Sequence, residues 1–242
     1  MANLLIEIGN TAVKAAWSEG SVLGKTLRYQ GERVVDFISS LIDRQSPLVM
    51  TVAAVRDITP EERESLAGMC QYLLLLDPSH PELTSSYDMP DYLSPDRAAS
   101  LIAATHLFKG KACTVFDLGT TLTVDRLDAA GHYVGGSISL GCRTRFKAVN
   151  RYSKALPLVN MPAAGKPSAD PITSSIETGV ISGIMFEMEG YIRSNPGNIV
   201  IFTGGDAIYF AKRMKNSIFV VCNLGLMGLA IITDEYVKKN IQ

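Results

Sequence analysis

Two turns in this chain gather a carboxylate, a glycine and amide or hydroxyl groups within five residues. The first is Glu7-Ile8-Gly9-Asn10-Thr11, followed by Ala12, Val13 and Lys14. The second is Asp117-Leu118-Gly119-Thr120-Thr121, followed by Thr123 and Asp125. Glycine lets backbone approach an anion closely, and backbone N–H groups and threonine hydroxyls donate to phosphate oxygens. A carboxylate at the strand end suits Mg2+, directly or through water. Either turn alone reads equally well as an ordinary β-turn beside an acidic strand end. Two at matching places suggest two loops gripping one polyphosphate.

Other stretches could contribute. Thr203-Gly204-Gly205-Asp206-Ala207 joins an apolar run to a helical one. Its glycines allow backbone to meet a flat ring or a phosphate at a helix N-terminus, although a tight strand-to-helix connection explains it as well. Gly135-Gly136-Ser137-Ile138-Ser139-Leu140-Gly141 is a glycine cluster suited to close packing of strand and helix. Ser94-Pro95-Asp96-Arg97 opens a helical pattern. Asp96 suits the positive end of the helix dipole, whereas Arg97 opposes it, which suggests a task for the arginine. An Asp-Arg pair can take a proton from a hydroxyl and hold a carboxylate or phosphate.

The elements that must position these residues follow from periodicity and turn signals. Strands are expected at Leu4–Ile8, Ala12–Trp17, Ser21–Tyr29, Leu48–Val55 and Tyr72–Leu76, with a helix over Gly31–Asp43 and another starting at Thr59-Pro60. Asp77–Ser94 reads as a long loop and Pro95–Leu107 as a helix. The arrangement then restarts. Strands are expected at Ala112–Phe116, Leu122–Leu127 and His132–Ile138, a helix at Leu140–Ser153 and a Pro/Gly/Ala loop at Val159–Asp170. A long helix at Ser174–Arg193, a strand at Ile199–Thr203, a helix at Asp206–Met214, a strand at Ile218–Cys222 and a closing helix at Leu226–Lys239 complete the chain. The repeat implies a divergent duplication with domains 1–109 and 110–242.

Composition narrows the classes. Of 242 residues 47% are hydrophobic and 19% charged, which suits an ordered globular protein, and the net charge of −1 gives no pull towards nucleic acid. No run of about 18 apolar residues predicts a membrane span. The opening MANLLIEIGN has no basic leader, so no signal peptide is expected. Cys70, Cys113, Cys142 and Cys222 are far apart, as are His80, His106 and His132, so reduced thiols and no zinc site are expected, in a cytoplasmic protein.

Taken in order, Glu7-Ile8-Gly9-Asn10-Thr11-x-x-Lys14, Asp96-Arg97, Asp117-x-Gly119-Thr120-x-x-Thr123-x-Asp125, Gly135-Gly136-x-Ile138, Ser175-Ile176-x-Thr178-Gly179 and Thr203-Gly204-Gly205-Asp206-Ala207 resemble the type III pantothenate kinases. The resemblance runs from about Leu4 to about Leu229. It implies membership of the acetate and sugar kinase/Hsp70/actin superfamily: an α/β chain of two duplicated ribonuclease-H-like halves, the actin-like ATPase fold, with a nucleotide cleft between them. The implied reaction moves the γ-phosphate of ATP to the primary hydroxyl of pantothenate, giving 4'-phosphopantothenate, the first step of coenzyme A biosynthesis. Implied partners are Mg2+, a monovalent cation (K+ or NH4+) and a second copy of the chain in a homodimer.

Carried over by position, Glu7, Ile8, Gly9, Asn10, Thr11, Ala12, Val13 and Lys14 form the first phosphate loop. Thr120 touches the ATP phosphates, and Gly204 and Gly205 lie near the adenosine. Asp117 sits at the monovalent cation and Asp96 is the general base. Arg97, with Ser94, Pro95 and Tyr92, lines the pantothenate pocket. A threonine before the long helix contacts substrate in the family, and Thr173 is the candidate although strict spacing selects Ile172. The chain departs from the family pattern at Glu7 (Asp in the family), Ser94 (Gly) and Leu140 (Pro). Two other readings remain at this stage: a kinase of the same superfamily acting on another small alcohol, and a catalytically weak nucleotide-binding regulator.

Overall fold

The computed structural model describes residues 2–43, 45–80, 82–162 and 168–241. The elements run β1 (Asn3–Ile8), β2 (Val13–Glu19), β3 (Val22–Tyr29), α1 (Val34–Ile42), β4 (Val49–Ala54), α2 (Pro60–Ala67), β5 (Tyr72–Leu76), α3 (Glu82–Ser85) and α4 (Pro95–Leu107). They continue β6 (Cys113–Leu118), β7 (Thr121–Leu127), β8 (Tyr133–Leu140), α5 (Cys142–Tyr152), α6 (Pro171–Ser194), β9 (Ile199–Thr203), α7 (Ala207–Ala211), β10 (Phe219–Val220) and α8 (Leu224–Asn240). The middle of the loop expected at Val159–Asp170, residues 163–167, lies outside the described residues.

Two compact units emerge, Met1–Leu107 with Asn223–Gln242, and Phe108–Cys222. Each holds one five-stranded sheet, ordered β3-β2-β1-β4-β5 in the first and β10-β9-β6-β7-β8 in the second. Three strands of each sheet are antiparallel neighbours (β1, β2, β3; β6, β7, β8), and the other two join in parallel. The two sheets therefore share one topology, strand for strand, as the duplication requires.

The units differ from the expected division in the last helix. α8 follows the second sheet in sequence but packs on α4 and on β1, β2, β3 and β4 of the first unit. A buried hydrogen bond between Thr51 Oγ1 and Thr233 Oγ1 (2.6 Å) and one from Asn223 Nδ2 to Thr26 Oγ1 (3.0 Å) fasten it there. Its glycines allow the approach: a Cβ on Gly228 would stand 1.8 Å from the Ala99 carbonyl oxygen.

Pleat alternation divides the side chains between the faces of each sheet. Leu4, Ile6 and Ile8 of β1 join Ile38, Met50 and Val52 in one core. Phe116 and Leu118 of β6 join Phe146, Met188, Phe202 and Phe210 in the other. Burying a side chain of this size stabilises by about 1.5–3 kcal/mol. Glu7 and Asp117 stand between these core residues in sequence and so project from the opposite faces of their sheets.

Local signals explain several helix starts. Thr59 and Glu62 form a capping box at α2, with Glu62 N–H donating to Thr59 Oγ1 at 3.2 Å and Thr59 N–H to Glu62 Oε2 at 3.1 Å. Asp170 caps α6 by accepting from the Thr173 N–H at 2.7 Å, with Pro171 at the first helical position. That corrects the placement of Thr173. It lies inside the first turn of the long helix, because the cap three residues earlier starts the helix sooner than the apolar pattern indicates. β8 runs on to Leu140, where a helix was expected, because Thr121 pairs with Leu140 in the ladder.

The crossing at Gly228 can be tested by substitution. Gly228→Ala forces α8 and α4 apart, and overpacking of about 1–3 kcal/mol outweighs the helix-propensity gain of about 1 kcal/mol. Urea unfolding should show a lowered midpoint; an unchanged or raised midpoint contradicts the close approach.

Candidate active site

The two acidic turns fall at equivalent places in their sheets. Glu7 is the penultimate residue of β1 and Asp117 the penultimate residue of β6. Glu7 pairs with Lys14 on β2 and Ala53 on β4, and Asp117 pairs with Thr123 on β7 and Thr203 on β9. Each strand then enters a glycine turn, closed by Gly9 N–H to Ala12 O in one case and Gly119 N–H to Thr121 O in the other, both 3.0 Å.

In the first unit the Lys14 ammonium donates to Glu7 Oε1 at 2.7 Å. Glu7 Oε2 is buried with no hydrogen-bond partner among the described residues. Gly225 of α8 and Ser100 of α4 stand beside it, the nearest neighbours of a Cβ built on Gly225 being Glu7 Oε2 (2.6 Å), Glu7 Cδ (3.3 Å) and Ser100 Oγ (3.5 Å). Asp96 lies one turn before Ser100 on the same face of α4. Its Oδ1 is also buried and without a partner among the described residues. A buried acceptor without a donor costs about 1–3 kcal/mol, so such an atom calls for an explanation. Pro95 is buried and Ser94 and Arg97 half-buried, while Tyr92 is 74% exposed. The loop before α4 is tied to α8 by Tyr87, whose hydroxyl donates to Glu235 Oε2 at 2.7 Å; burial, with that bond, pushes the phenol well up.

In the second unit Asp117, Gly119, Thr120, Gly141 and Gly204 come together. Gly204 has φ +89°, and a Cβ there would stand 2.4 Å from Asp117 Oδ1 and 2.6 Å from Leu118 O. The Asp206 N–H donates to Leu118 O at 3.0 Å. The Thr120 carbonyl accepts from the Gly141 N–H at 3.0 Å and from Thr144 Oγ1 at 2.7 Å, which fixes its turn against the start of α5. Gly141 permits this, since a Cβ would lie 2.0 Å from Gly119 O. Gly205 is exposed beside Gly204. Thr173 of α6 is half-buried.

Three features around these loops had no part in the sequence reading of the site. Asp206 lies 3.8 Å from Arg143 Nε. The Arg213 guanidinium stacks 3.4 Å over the Tyr209 ring. Burial pushes the Cys142 thiol up to about 11, with the Asp206 charge adding to the rise, so it is a thiol near neutral pH and no nucleophile. Gly225 also went unread, although its spacing of three from Gly228 signals a small-residue face on the closing helix.

Among the described residues no group of three or more His, Cys, Asp or Glu side chains could hold a metal ion. A single carboxylate per turn instead fits Mg2+, which keeps several waters and binds through one or two carboxylates plus phosphate oxygens. The orphaned Glu7 Oε2 accords with a metal-bound water as its donor.

Comparison with known proteins fixes the family. The model of type III pantothenate kinases matches residues 3–194. A type III pantothenate kinase of Cytophaga hutchinsonii is 33% identical over 232 residues, covering 94% of this chain and 96% of its own. The chain belongs to the type III pantothenate kinase family. Among solved structures, a conserved Baf family protein of Campylobacter jejuni, named for transcriptional activation, superposes with a TM-score of 0.62 at 19% identity over 98% of each chain. The activator of 2-hydroxyisocaproyl-CoA dehydratase from Clostridium difficile, with bound ADPNP, gives 0.59 at 13% identity over 99% of this chain and 96% of that one. These likenesses show the fold, the duplicated actin-like ATPase fold of two ribonuclease-H-like halves, and agree with the repeated topology. No helix among the described residues is long and apolar enough to cross a membrane.

Proposed function

We propose that this chain is a pantothenate kinase, transferring the γ-phosphate of ATP to the primary hydroxyl of pantothenate to give 4'-phosphopantothenate. The observation that carries the reading is Asp96: its Oδ1 is buried without a donor at the start of α4, in a chain of this family. Pantothenate brings the missing donor in its hydroxyl. As the new O–P bond forms and the bond to the ADP oxygen breaks, Asp96 accepts the hydroxyl proton. Phosphoryl transfer depends mostly on positioning and charge neutralisation, so the proton can move late. Arg97, on the next position of α4, holds the substrate carboxylate as a charge-assisted pair. Ser94, Pro95 and Tyr92 line the pantothenate pocket, and Thr173 contacts substrate from the first turn of α6.

The first loop, Glu7 to Lys14, cradles phosphates with backbone N–H groups and the Thr11 hydroxyl, and Lys14 stays oriented by its pair with Glu7. Thr120 reaches phosphate from the second turn. Gly204 and Gly205 admit the adenosine, which accords with their lack of side chains. Mg2+, when bound, would supply charge neutralisation for the phosphates, and Glu7 is the first-loop residue that would hold it. Asp117 holds the monovalent cation, K+ or NH4+, with Thr123 and Thr203 as its ladder neighbours.

The chain acts in the cytoplasm, as a homodimer. The dimer reading is supported by β8, an edge strand that turns Val134, Ile138 and Leu140 outward while Ser137 and Ser139 bond inward to Tyr191 and Glu187 of α6. Apolar side chains on the outer face of an edge strand favour a covering partner.

Purified protein should phosphorylate pantothenate with ATP and Mg2+ and leave other small alcohols of a substrate panel untouched. Asp96→Asn should lower kcat by about a hundredfold or more without shifting the unfolding midpoint, in line with the usual size of general-base effects; retained turnover removes Asp96 as the base. Asp117→Ala should flatten the dependence of rate on K+, and an unchanged K+ response contradicts that site. Ile138→Glu should move the mass by light scattering from dimer towards monomer, while a parent that is already monomeric rules out the dimer.

A further inference from the structure

Glu7 is one methylene longer than an aspartate, and that methylene needs a place to go. It projects from β1 onto the face covered by α4 and α8, and at that point α8 presents Gly225. A Cβ on Gly225 would lie 2.6 Å from Glu7 Oε2, a separation that real Cβ atoms essentially never show. On its other side the carboxylate is held by Lys14 at 2.7 Å, directly across the β1–β2 ladder.

α8 has no freedom to withdraw. Gly228, one turn on, already sits with its Cα so near α4 that a Cβ would be 1.8 Å from Ala99 O. The Thr51–Thr233 bond at 2.6 Å and the Asn223–Thr26 bond at 3.0 Å hold the helix at points on either side. An added carbon at residue 225 therefore displaces the carboxylate, and with it the Lys14 contact, rather than the helix. Shortening Glu7 to aspartate would draw the carboxylate back by about 1.5 Å, one carbon–carbon bond, and leave room for a side chain at 225.

We infer that residues 7 and 225 are a size-matched pair, in which the missing side chain of Gly225 lets the longer Glu7 carboxylate reach its place at the phosphate loop. Gly225 is thus a positioning residue for nucleotide and Mg2+. The inference rests on the reading of Glu7 as part of that loop. It also has a consequence for folding that does not depend on activity. Alanine favours a helix over glycine, so Gly225→Ala stabilises α8 wherever no contact opposes it.

The test compares the parent, Gly225→Ala, Glu7→Asp and the double variant Glu7→Asp/Gly225→Ala. The thermal midpoint, the affinity for the non-hydrolysable ATP analogue AMP-PNP with Mg2+, and kcat and KM for pantothenate are measured on each. With Glu7 present, Gly225→Ala should lower the midpoint, weaken the analogue and reduce kcat by about a hundredfold, the usual effect of a misplacement near 1 Å. The KM for pantothenate should hold. In the Glu7→Asp background, where the carboxylate is already drawn back, the same substitution should raise the midpoint and leave analogue affinity and kcat within a few-fold of the Glu7→Asp single variant. Equal effects of Gly225→Ala in both backgrounds, or a double variant that shows both single losses combined, overturn the pairing. Should Gly225→Ala alone fail to fold, a folded double variant supports the pairing and an unfolded one overturns it. A parent inactive on pantothenate would remove the proposed reaction, while the midpoints and analogue affinities would still decide the pairing.

Discussion

At Gly228 the closing helix comes so near α4 that a methyl group would stand 1.8 Å from a backbone oxygen. Much of the first unit depends on that approach. Packing at this separation admits no side chain at the contact, so the helix that ends the chain is fixed against the first sheet and not the second. α4 carries Asp96 at its start and Ser100 one turn later, and α8 carries Gly225 and, further on, Glu235, the acceptor for Tyr87. The loop that leads into α4 is therefore anchored through α8. A residue near the C-terminus and a residue near the N-terminus come to share one carboxylate environment through a single close crossing.

The second unit applies the same device to its turns. Gly141 and Gly204 let three backbone segments meet around Asp117 where side chains would collide. The two carboxylates occupy one register in two copies of one topology, yet their ladder neighbours differ. Glu7 has a lysine across the ladder and Asp117 has threonines on both sides. An ammonium beside a carboxylate offsets its field, whereas a threonine hydroxyl carries no net charge. Divergence after duplication has thus set a fixed cation in the ladder beside one carboxylate and hydroxyls beside the other.

The strands and their turns were legible because local signals agree with the fold. Tyr72–Leu76, Ile199–Thr203 and Pro95–Leu107 take the bounds that periodicity and Pro95 predict. The helix expected at Thr59-Pro60 starts there. The features that escaped are those in which distant residues decide. Leu140 looks helical beside Cys142–Tyr152, but its ladder partner Thr121 extends the strand. α8 lies outside the half to which its sequence position assigns it, because nothing within Leu224–Asn240 states which sheet it covers. In the site, carboxylates and glycines could be found from their types and spacing. Their neighbours could not: Lys14 reads as one more loop cation until the ladder places it opposite Glu7, and Gly225 falls outside the helix expected from Leu226 until α8 is seen to start at Leu224, with the Glu7 carboxylate against it.

Among the described residues, the carboxylate oxygens that are buried and lack a partner belong to Glu7 and Asp96. Both lie in the first unit. Glu7 stands against the closely packed pair α4 and α8, and Asp96 is on α4 itself. The helix beside Glu7 is held by its close approach to α4 and by hydrogen bonds at 2.6 and 3.0 Å. A fold selected for stability alone would set a hydroxyl or amide donor within reach, and Ser100 is near enough for a small shift to supply one. In the proposed reaction, a substrate hydroxyl for Asp96 and a metal-bound water for Glu7 would be donors of the chemistry that phosphoryl transfer brings to such a site.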